Sequence, residues 1–206
     1  MNSKGILTVI SGFSGSGKGT VVKQLCERYN YALSVSATTR DPRKGEIDGV
    51  HYFFKTVEEF ENMIANDEFL EHAGYVNNMY GTPKRFVLDK LNAGENVILE
   101  IEMQGGLLIK EKYPDAVLIF MAPPSAYTLK KRLVDRNTEE QDVINKRLAR
   151  AAEEIDYIDK YDYLVINDEL ETCINDIQRI VTSEKNKVNN QPAMVDFIKK
   201  DFKNII

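Results

Sequence analysis

The 206-residue chain has only two cysteines, two histidines and no apolar run longer than a handful of residues. Each scarcity excludes something. No segment approaches the roughly 20 apolar residues that a membrane-spanning helix needs. Cys26 and Cys173 stand among helical apolar positions and read as small core residues, not as a disulfide or a metal pair. His51 and His72, without cysteine neighbours, fall short of a zinc site. A surplus of positive charge is missing too, with 27 Lys and Arg against 32 Asp and Glu and a net charge of −5. That argues against a broad nucleic-acid-binding face and leaves basic clusters only a local role. The first strand starts at once and leaves no room for a signal peptide, so the expected compartment is the cytosol. The apolar share of 43% and charged share of 29% are those of an ordinary globular protein, without internal repeat or low-complexity segment.

What is present is concentrated near the start. The apolar, β-prone run Ile6-Leu7-Thr8-Val9-Ile10 leads into Ser11-Gly12-Phe13-Ser14-Gly15-Ser16-Gly17-Lys18 and then into helical spacing at Val21, Val22, Leu25 and Cys26. Strand, G-x-x-x-x-G-K loop and helix N-terminus in that order are what a phosphate-binding P-loop requires. Glycines let backbone N–H groups converge on one concavity, the helix dipole adds positive potential, and Lys18 reaches the outer phosphates as a point charge. One position departs from the pattern: Gly19 stands where Ser or Thr is expected, with Thr20 next. The usual hydroxyl ligand for magnesium is missing or displaced by one residue.

Downstream, strands and helices alternate at βαβ spacing. Residues 31–35 read as a short strand, 97–101 and 116–121 as strands buried on both faces, and 163–166 as a last buried strand. Residues 36–46 are too rich in turn formers to be regular, and 51–55 resume as a strand. Thr56 to Glu59 forms a capping box, 69–80 reads as short strands or a hairpin, and Thr82-Pro83 opens a helix with Thr82 as a candidate N-cap and Ala93-Gly94 at its end. Pro123-Pro124-Ser125 starts a helix ending near Arg136; Thr138 to Gln141 is a second capping box, opening a long helix through Ile158. A helix striped by Leu170, Cys173, Ile174, Ile177, Ile180 and Val181 follows, then a polar helical tail. The fold class expected is α/β: a parallel sheet flanked by helices, with residues from about 36 to 94 as an inserted α+β lobe.

Ligands of an open α/β sheet bind beyond the carboxyl ends of its strands. Those ends deliver the P-loop, then Ser36, Arg40 and Arg43, then Glu100 and Glu102. Anion-binding groups beside two carboxylates suit phosphoryl transfer assisted by magnesium.

The blocks along the chain resemble the guanylate kinase family. Besides the P-loop they are Ser34-Val35-Ser36-Ala37-Thr38-Thr39-Arg40 with Arg43, Gly45-Glu46, Asp48-Gly49 and Tyr52-Phe53-Phe54; Phe69-Leu70-Glu71-His72-Ala73 with Tyr80-Gly81-Thr82; Leu99-Glu100-Ile101-Glu102 with Gln104-Gly105; Ala122-Pro123-Pro124-Ser125; Asn145-Lys146-Arg147; and Tyr161-Asp162-Tyr163 with Asn167-Asp168. They follow one another in order from about Ile6 to Val181. The resemblance implies a P-loop NTPase core at 1–35 and 95–187, a GMP-binding lobe at 36–94, a helical lid at about 136–147 and a tail at 188–206, all one domain. It implies transfer of the γ-phosphoryl group of MgATP to GMP. Gly12, Phe13, Ser14, Gly15, Ser16, Gly17, Lys18, Gly19 and Thr20, with Arg132, Arg136 and Asn167, would hold ATP. Arg40 and Arg43 would hold the acceptor phosphate, helped by Tyr52 and Tyr80. Ser36, Glu71, Thr82 and Glu102 would contact guanine, with Glu46 and Glu100 completing the GMP site. Lys18, Arg40, Arg136 and Arg147 would carry catalysis, and Thr20 and Glu100 would hold Mg2+, directly or through water. Glu100 and Glu102 replace a more usual Asp-x-Asp, keeping the charge on longer arms. Lys130-Lys131-Arg132 otherwise reads as a solvated helix face. The partners implied are ATP and GMP, with dGMP a further acceptor to test, no nucleic acid and no membrane, in a monomer or a homo-oligomer. Two rival readings are a P-loop kinase for another phosphorylated acceptor, such as a ribosyl phosphate, and a scaffold-type module that binds phosphopeptides. The intact Gly17-Lys18 and the basic residues of the lid argue against the second.

Overall fold

A computed structural model describes residues 4–75, 77–135 and 141–205. Strand β1 (Leu7–Ser11) is wholly buried and lies between β7 (Val97–Glu100) and β8 (Val117–Ala122). With β2 (Ala32–Leu33) and β9 (Tyr163–Ile166) these make a parallel sheet of order β2-β7-β1-β8-β9. The unbroken apolar runs of the middle strands follow from cover on both faces. On one face α1 (Lys18–Tyr29) and α7 (Leu170–Lys185) bury Val21, Leu25, Cys173 and Ile177 against Ile10, Ile98 and Ile119. On the other, α4 (Met103–Lys112) packs Ile109 against Val9, Leu99 and Leu118. Both thiols are free, Cys173 buried and Cys26 half-buried. β9 differs from the expected buried strand: as an edge strand it buries only Val165, leaving Leu164 54% and Ile166 43% exposed.

A second sheet of order β4-β3-β6-β5 holds β3 (Ala37–Thr38), β4 (Phe53–Phe54), β5 (Phe69–Tyr75) and β6 (Asn78–Pro83). The expectation of an irregular 36–46 is corrected here, because Ala37 and Thr38 pair antiparallel with Gly81 and Tyr80. Tertiary pairing overrides the local turn chemistry. Thr56 caps α2 (Val57–Ala65) in a true capping box: its hydroxyl accepts from Glu59 N at 3.1 Å while the Glu59 carboxylate accepts from Thr56 N at 2.8 Å. This helix and hairpin share a small core in which the Phe60 and Phe69 rings stack at 4.6 Å over Ala37. The helix after Pro83, α3 (Lys84–Asn92), packs Val87 and Leu91 with Leu7, Val97 and Leu99 of the main-sheet core, although the sequence groups it with the lobe.

Helices α5 (Ala126–Asp135) and α6 (Gln141–Glu154) bury Leu129, Leu133, Ile144 and Ala151 beside Phe13 and Phe120. The long helix expected through Ile158 stops at Glu154 and tightens into a 3-10 turn, Ile155–Lys160. Arg136, expected in a lid, and most of the expected second capping box lie outside the described residues. The tail helix α8 (Pro192–Lys203) buries no residue. Among the described residues no helix is long and apolar enough to cross a membrane.

Candidate active site

The P-loop joins β1 to α1, and its shape is held from behind by chain far away in sequence. Gly17 has φ 94°, in the left-handed region, and a Cβ there would stand 2.5 Å from Asn167 Nδ2. Asn167 can approach so closely only because Gly17 has no side chain; its amide donates to Ser16 O at 2.8 Å. Arg132 donates to the same carbonyl at 3.4 Å and to Asn167 O at 2.8 Å. Arg132 is therefore tied to the loop's rear and is not the solvated residue that its basic neighbours suggest. The Lys18 ammonium donates to Gly12 O at 2.7 Å and to Phe13 O at 3.3 Å, and Arg147 of α6 donates to Ser14 Oγ at 2.8 Å.

Facing the loop, the second sheet and the segment after β3 assemble a basic cradle. Arg40 donates to Glu46 Oε1 at 2.9 Å and to Asp41 O at 2.6 Å, while Glu46 Oε2 accepts from Arg43 N at 2.7 Å. The Arg40 guanidinium lies 5.4 Å from the Tyr52 ring centre and 5.8 Å from that of Phe54; the Tyr52 and Tyr80 rings meet edge to face at 6.1 Å. The hydrogen bond from Arg40 holds the Glu46 carboxyl below the usual range, and burial pushes the Tyr52 phenol up. Glu46 thus aims Arg40, a task that the pairing geometry reveals.

Deeper in, Thr82 donates its hydroxyl to Glu71 Oε1 at 2.7 Å, both residues buried. The reading of Thr82 as a helix N-cap is corrected: it ends in β6, Pro83 occupies the cap position, and the hydroxyl is turned to Glu71. Burial pushes the Glu71 carboxyl up, against opposing pulls from the Thr82 bond and the nearby Lys112. A Cβ on Gly105 would come within 2.9 Å of Glu71 Oε2, so the α4 backbone and the carboxylate fit together only through that glycine.

Glu100 at the end of β7 also has its carboxyl pushed up by burial, with Lys18 opposing and Glu102 reinforcing. A Cβ on Gly19 would stand 3.8 Å from Glu100 Oε1, whereas Thr20 is exposed and does not border the cleft. Among the described residues no cluster of three His, Cys, Asp or Glu could cage a metal. One or two carboxylates beside a phosphate site fit magnesium, which keeps waters and takes its other ligands from substrate phosphates.

Many of these groups border one cleft of about 550 Å³. On its loop wall are Ser14 and Lys18; on the lobe wall are Ser36, Arg40, Arg43, Glu46, Tyr52, Glu71 and Tyr80; on its floor are Glu100 and Glu102; and Arg147 closes the side. Thr82, Arg132 and Asn167 stand behind the lining and hold other groups in place. Arg150 and Glu154, absent from the expected site, also border the cleft from α6; in the sequence their only sign is a spacing of three and seven residues from Arg147.

A P-loop on the first strand of a parallel sheet, with carboxylates at the end of the neighbouring strand, defines a P-loop kinase. The comparisons narrow this class. The guanylate kinase family model matches residues 4–184, and the chain belongs to the guanylate kinase family. It is 53% identical over 182 residues to a guanylate kinase of Halalkalibacterium halodurans, covering 88% of this chain and 89% of that protein. It is 52% identical over 193 residues to one of Clostridioides difficile, covering 93% and 94%. The crystal structure of guanylate kinase from Anaplasma phagocytophilum superposes with a TM-score of 0.81 at 34% identity, over 98% of this chain and 97% of that one.

Proposed function

We propose that this chain transfers the γ-phosphoryl group of MgATP to GMP, giving ADP and GDP. The observation that carries the reading is that one cleft holds Lys18 of the P-loop on one wall and, on the other, the Arg40 fork with the buried Glu71 beyond it. Guanine presents adjacent N1–H and N2–H donors, which suit a carboxylate held in place by Thr82; adenine offers an acceptor at N1 and would leave the carboxylate unpaired, at about 1–3 kcal/mol.

An oxygen of the GMP phosphate attacks the γ-phosphorus, the new O–P bond forms in line, and the bond to the β-phosphate oxygen breaks with its electron pair leaving on ADP. The GMP phosphate is largely ionised near neutral pH, its second pKa being about 6, so no strong base is required. Catalysis comes from holding two anions in line and neutralising the charge between them. In that scheme Lys18 and the P-loop hold the donor phosphates. Arg40 and Arg43 hold the acceptor phosphate, with Tyr52 and Tyr80 beside them; Ser36 and Glu102 complete the base site, and Arg147 joins P-loop and lid. Arg136 takes the same donor-side role by its place in the chain. Glu100, beside Gly19, would hold magnesium directly or through water, with the exposed Thr20 as the nearest hydroxyl in sequence; the ion supplies charge neutralisation between the two phosphates when bound. The lobe at 36–94 closes on GMP and the lid at about 136–147 on ATP, excluding water.

A coupled assay of ADP formation with GMP, AMP, CMP or UMP, with and without magnesium, tests this. Magnesium-dependent turnover with GMP far above the other three is expected; equal use of all four would refute the guanine assignment.

A further inference from the structure

Helix α6 turns one face to the cleft: Val143, Lys146, Arg147, Arg150 and Glu154 all border it at helical spacings of three and four. Arg147 is anchored forward on Ser14 of the P-loop. Arg150 is anchored backward, its Nε donating to Glu154 Oε1 at 3.2 Å. Another carboxylate beside it, Glu153 at 3.6 Å, belongs to a side chain 72% exposed, whereas the Glu154 side chain is only 7% exposed.

That contrast matters. The pair with Glu154 is largely withdrawn from water, whereas the Glu153 carboxylate stays in it. Taking a carboxylate out of water is costly unless it is paired and hydrogen-bonded, so the buried Glu154 depends on the Arg150 guanidinium that donates to it. Glu154 borders the cleft with Lys18 and Glu102 both within its electrostatic reach. A buried acid gripping the guanidinium limits the directions in which Arg150 can point, and the Arg150 side chain, one-third exposed, borders the same cavity. A transferring phosphoryl group spreads charge over three equatorial oxygens. Lys18 approaches it from the loop and Arg40 from the lobe; on the α6 wall Arg147 is drawn to Ser14 of the loop, and Arg150 one turn on is the next guanidinium bordering the cleft.

On the reading of the cleft as a phosphoryl-transfer site, we propose that Arg150 is a further catalytic residue, contacting the transferring phosphoryl group from the α6 wall, and that Glu154 is the positioning residue that aims it. Removing such a contact lowers kcat and leaves ground-state binding nearly intact.

The test compares R150Q, R150K, E154Q and the double variant R150Q/E154Q with wild type by steady-state kinetics and thermal melting. R150Q is expected to lose about 30-fold or more in kcat, with KM for ATP and GMP within about threefold and melting little changed. R150K recovers part of the loss, because a point charge replaces the fork. E154Q loses less than R150Q, and the double variant is no slower than R150Q, because Glu154 acts through Arg150. A kcat for R150Q within about threefold of wild type, or a change confined to KM, overturns the role of Arg150. Losses that multiply in the double variant overturn the role of Glu154. If wild type does not phosphorylate GMP at all, it is the proposed function that fails. Arg150 is then judged by binding of ADP with aluminium fluoride, a mimic of the transferring group. Weakening of at least tenfold in R150Q with ADP alone unchanged is expected there, and equal binding overturns the assignment.

Discussion

The hydroxyl of Thr82 donates to Glu71 at 2.7 Å with both residues buried, and this single bond orients a carboxylate that borders the cleft. Replacing Glu71 by Gln keeps the size and the hydrogen bond with Thr82 but puts a donor where guanine has donors. Glu71→Gln is expected to lower kcat/KM for GMP by roughly 10–100-fold and to narrow the preference over AMP. Unchanged discrimination between GMP and AMP would remove Glu71 from the base site.

Gly105 separates stability from recognition. A Cβ there would lie 2.9 Å from Glu71 Oε2 and 3.3 Å from Ile101 Cδ1. The carboxylate end can move, so Gly105→Ala is expected to fold. Ala is also the better helix former in the first turn of α4, where residue 105 lies. The KM for GMP should rise with melting temperature unchanged or higher. A variant that melts lower at unchanged KM would show that the contact serves packing only.

Lys18 is held by the carbonyls of Gly12 and Phe13, so its ammonium is already folded over the loop it serves. Lys18→Ala removes charge, not core, and should lose roughly 10²–10³-fold in kcat with normal melting. Near-full activity in this variant would sink the transfer mechanism.

The buried carboxyls set the pH dependence of stability. Glu71, Glu100 and Glu154 each have their carboxyl raised from an ordinary value of 4.5, chiefly by burial. For an acid raised in the folded state, stability is fully present below the ordinary pKa and is lost as pH climbs through the folded value, because the unfolded chain releases its proton first. Glu46, Asp67 and Glu171 are lowered by Arg40, Lys84 and Arg28, so their contributions hold above the ordinary range and fade as pH falls through it. The ligand-free protein should therefore melt higher at about pH 5.5 than at about pH 7.5, and lower again below about pH 4. Glu71→Gln should flatten the neutral-side slope. A melting temperature that rises steadily from about pH 5 to 8 contradicts this account.

Much of the site was legible because its parts are short and local. Ser11 to Lys18 carries strand end, glycine turns and helix start within one continuous stretch, and Thr56 and Glu59 cap α2 by contacts three residues apart. What was misread involves distant partners. Thr82 next to a proline looks like a cap, and only the β5–β6 pairing, which sets it opposite Glu71, turns its hydroxyl inward. The apolar run of β9 looks like a buried strand, yet its place at the sheet edge leaves Leu164 in solvent. Arg132 sits in a basic triplet and gives no hint of the Ser16 and Asn167 carbonyls it reaches.

By itself, then, the sequence determined the α/β alternation, the phosphate loop and the chemical kinds of side chain that serve two phosphorylated partners. Backbone propensity and short-range spacing suffice for those. The tertiary structure decided which groups share the cleft: Glu71 against Gly105, Gly17 against Asn167, and the α6 face carrying Arg147, Arg150 and Glu154. Those contacts join residues that only strand order and helix packing bring together, and no local pattern records them.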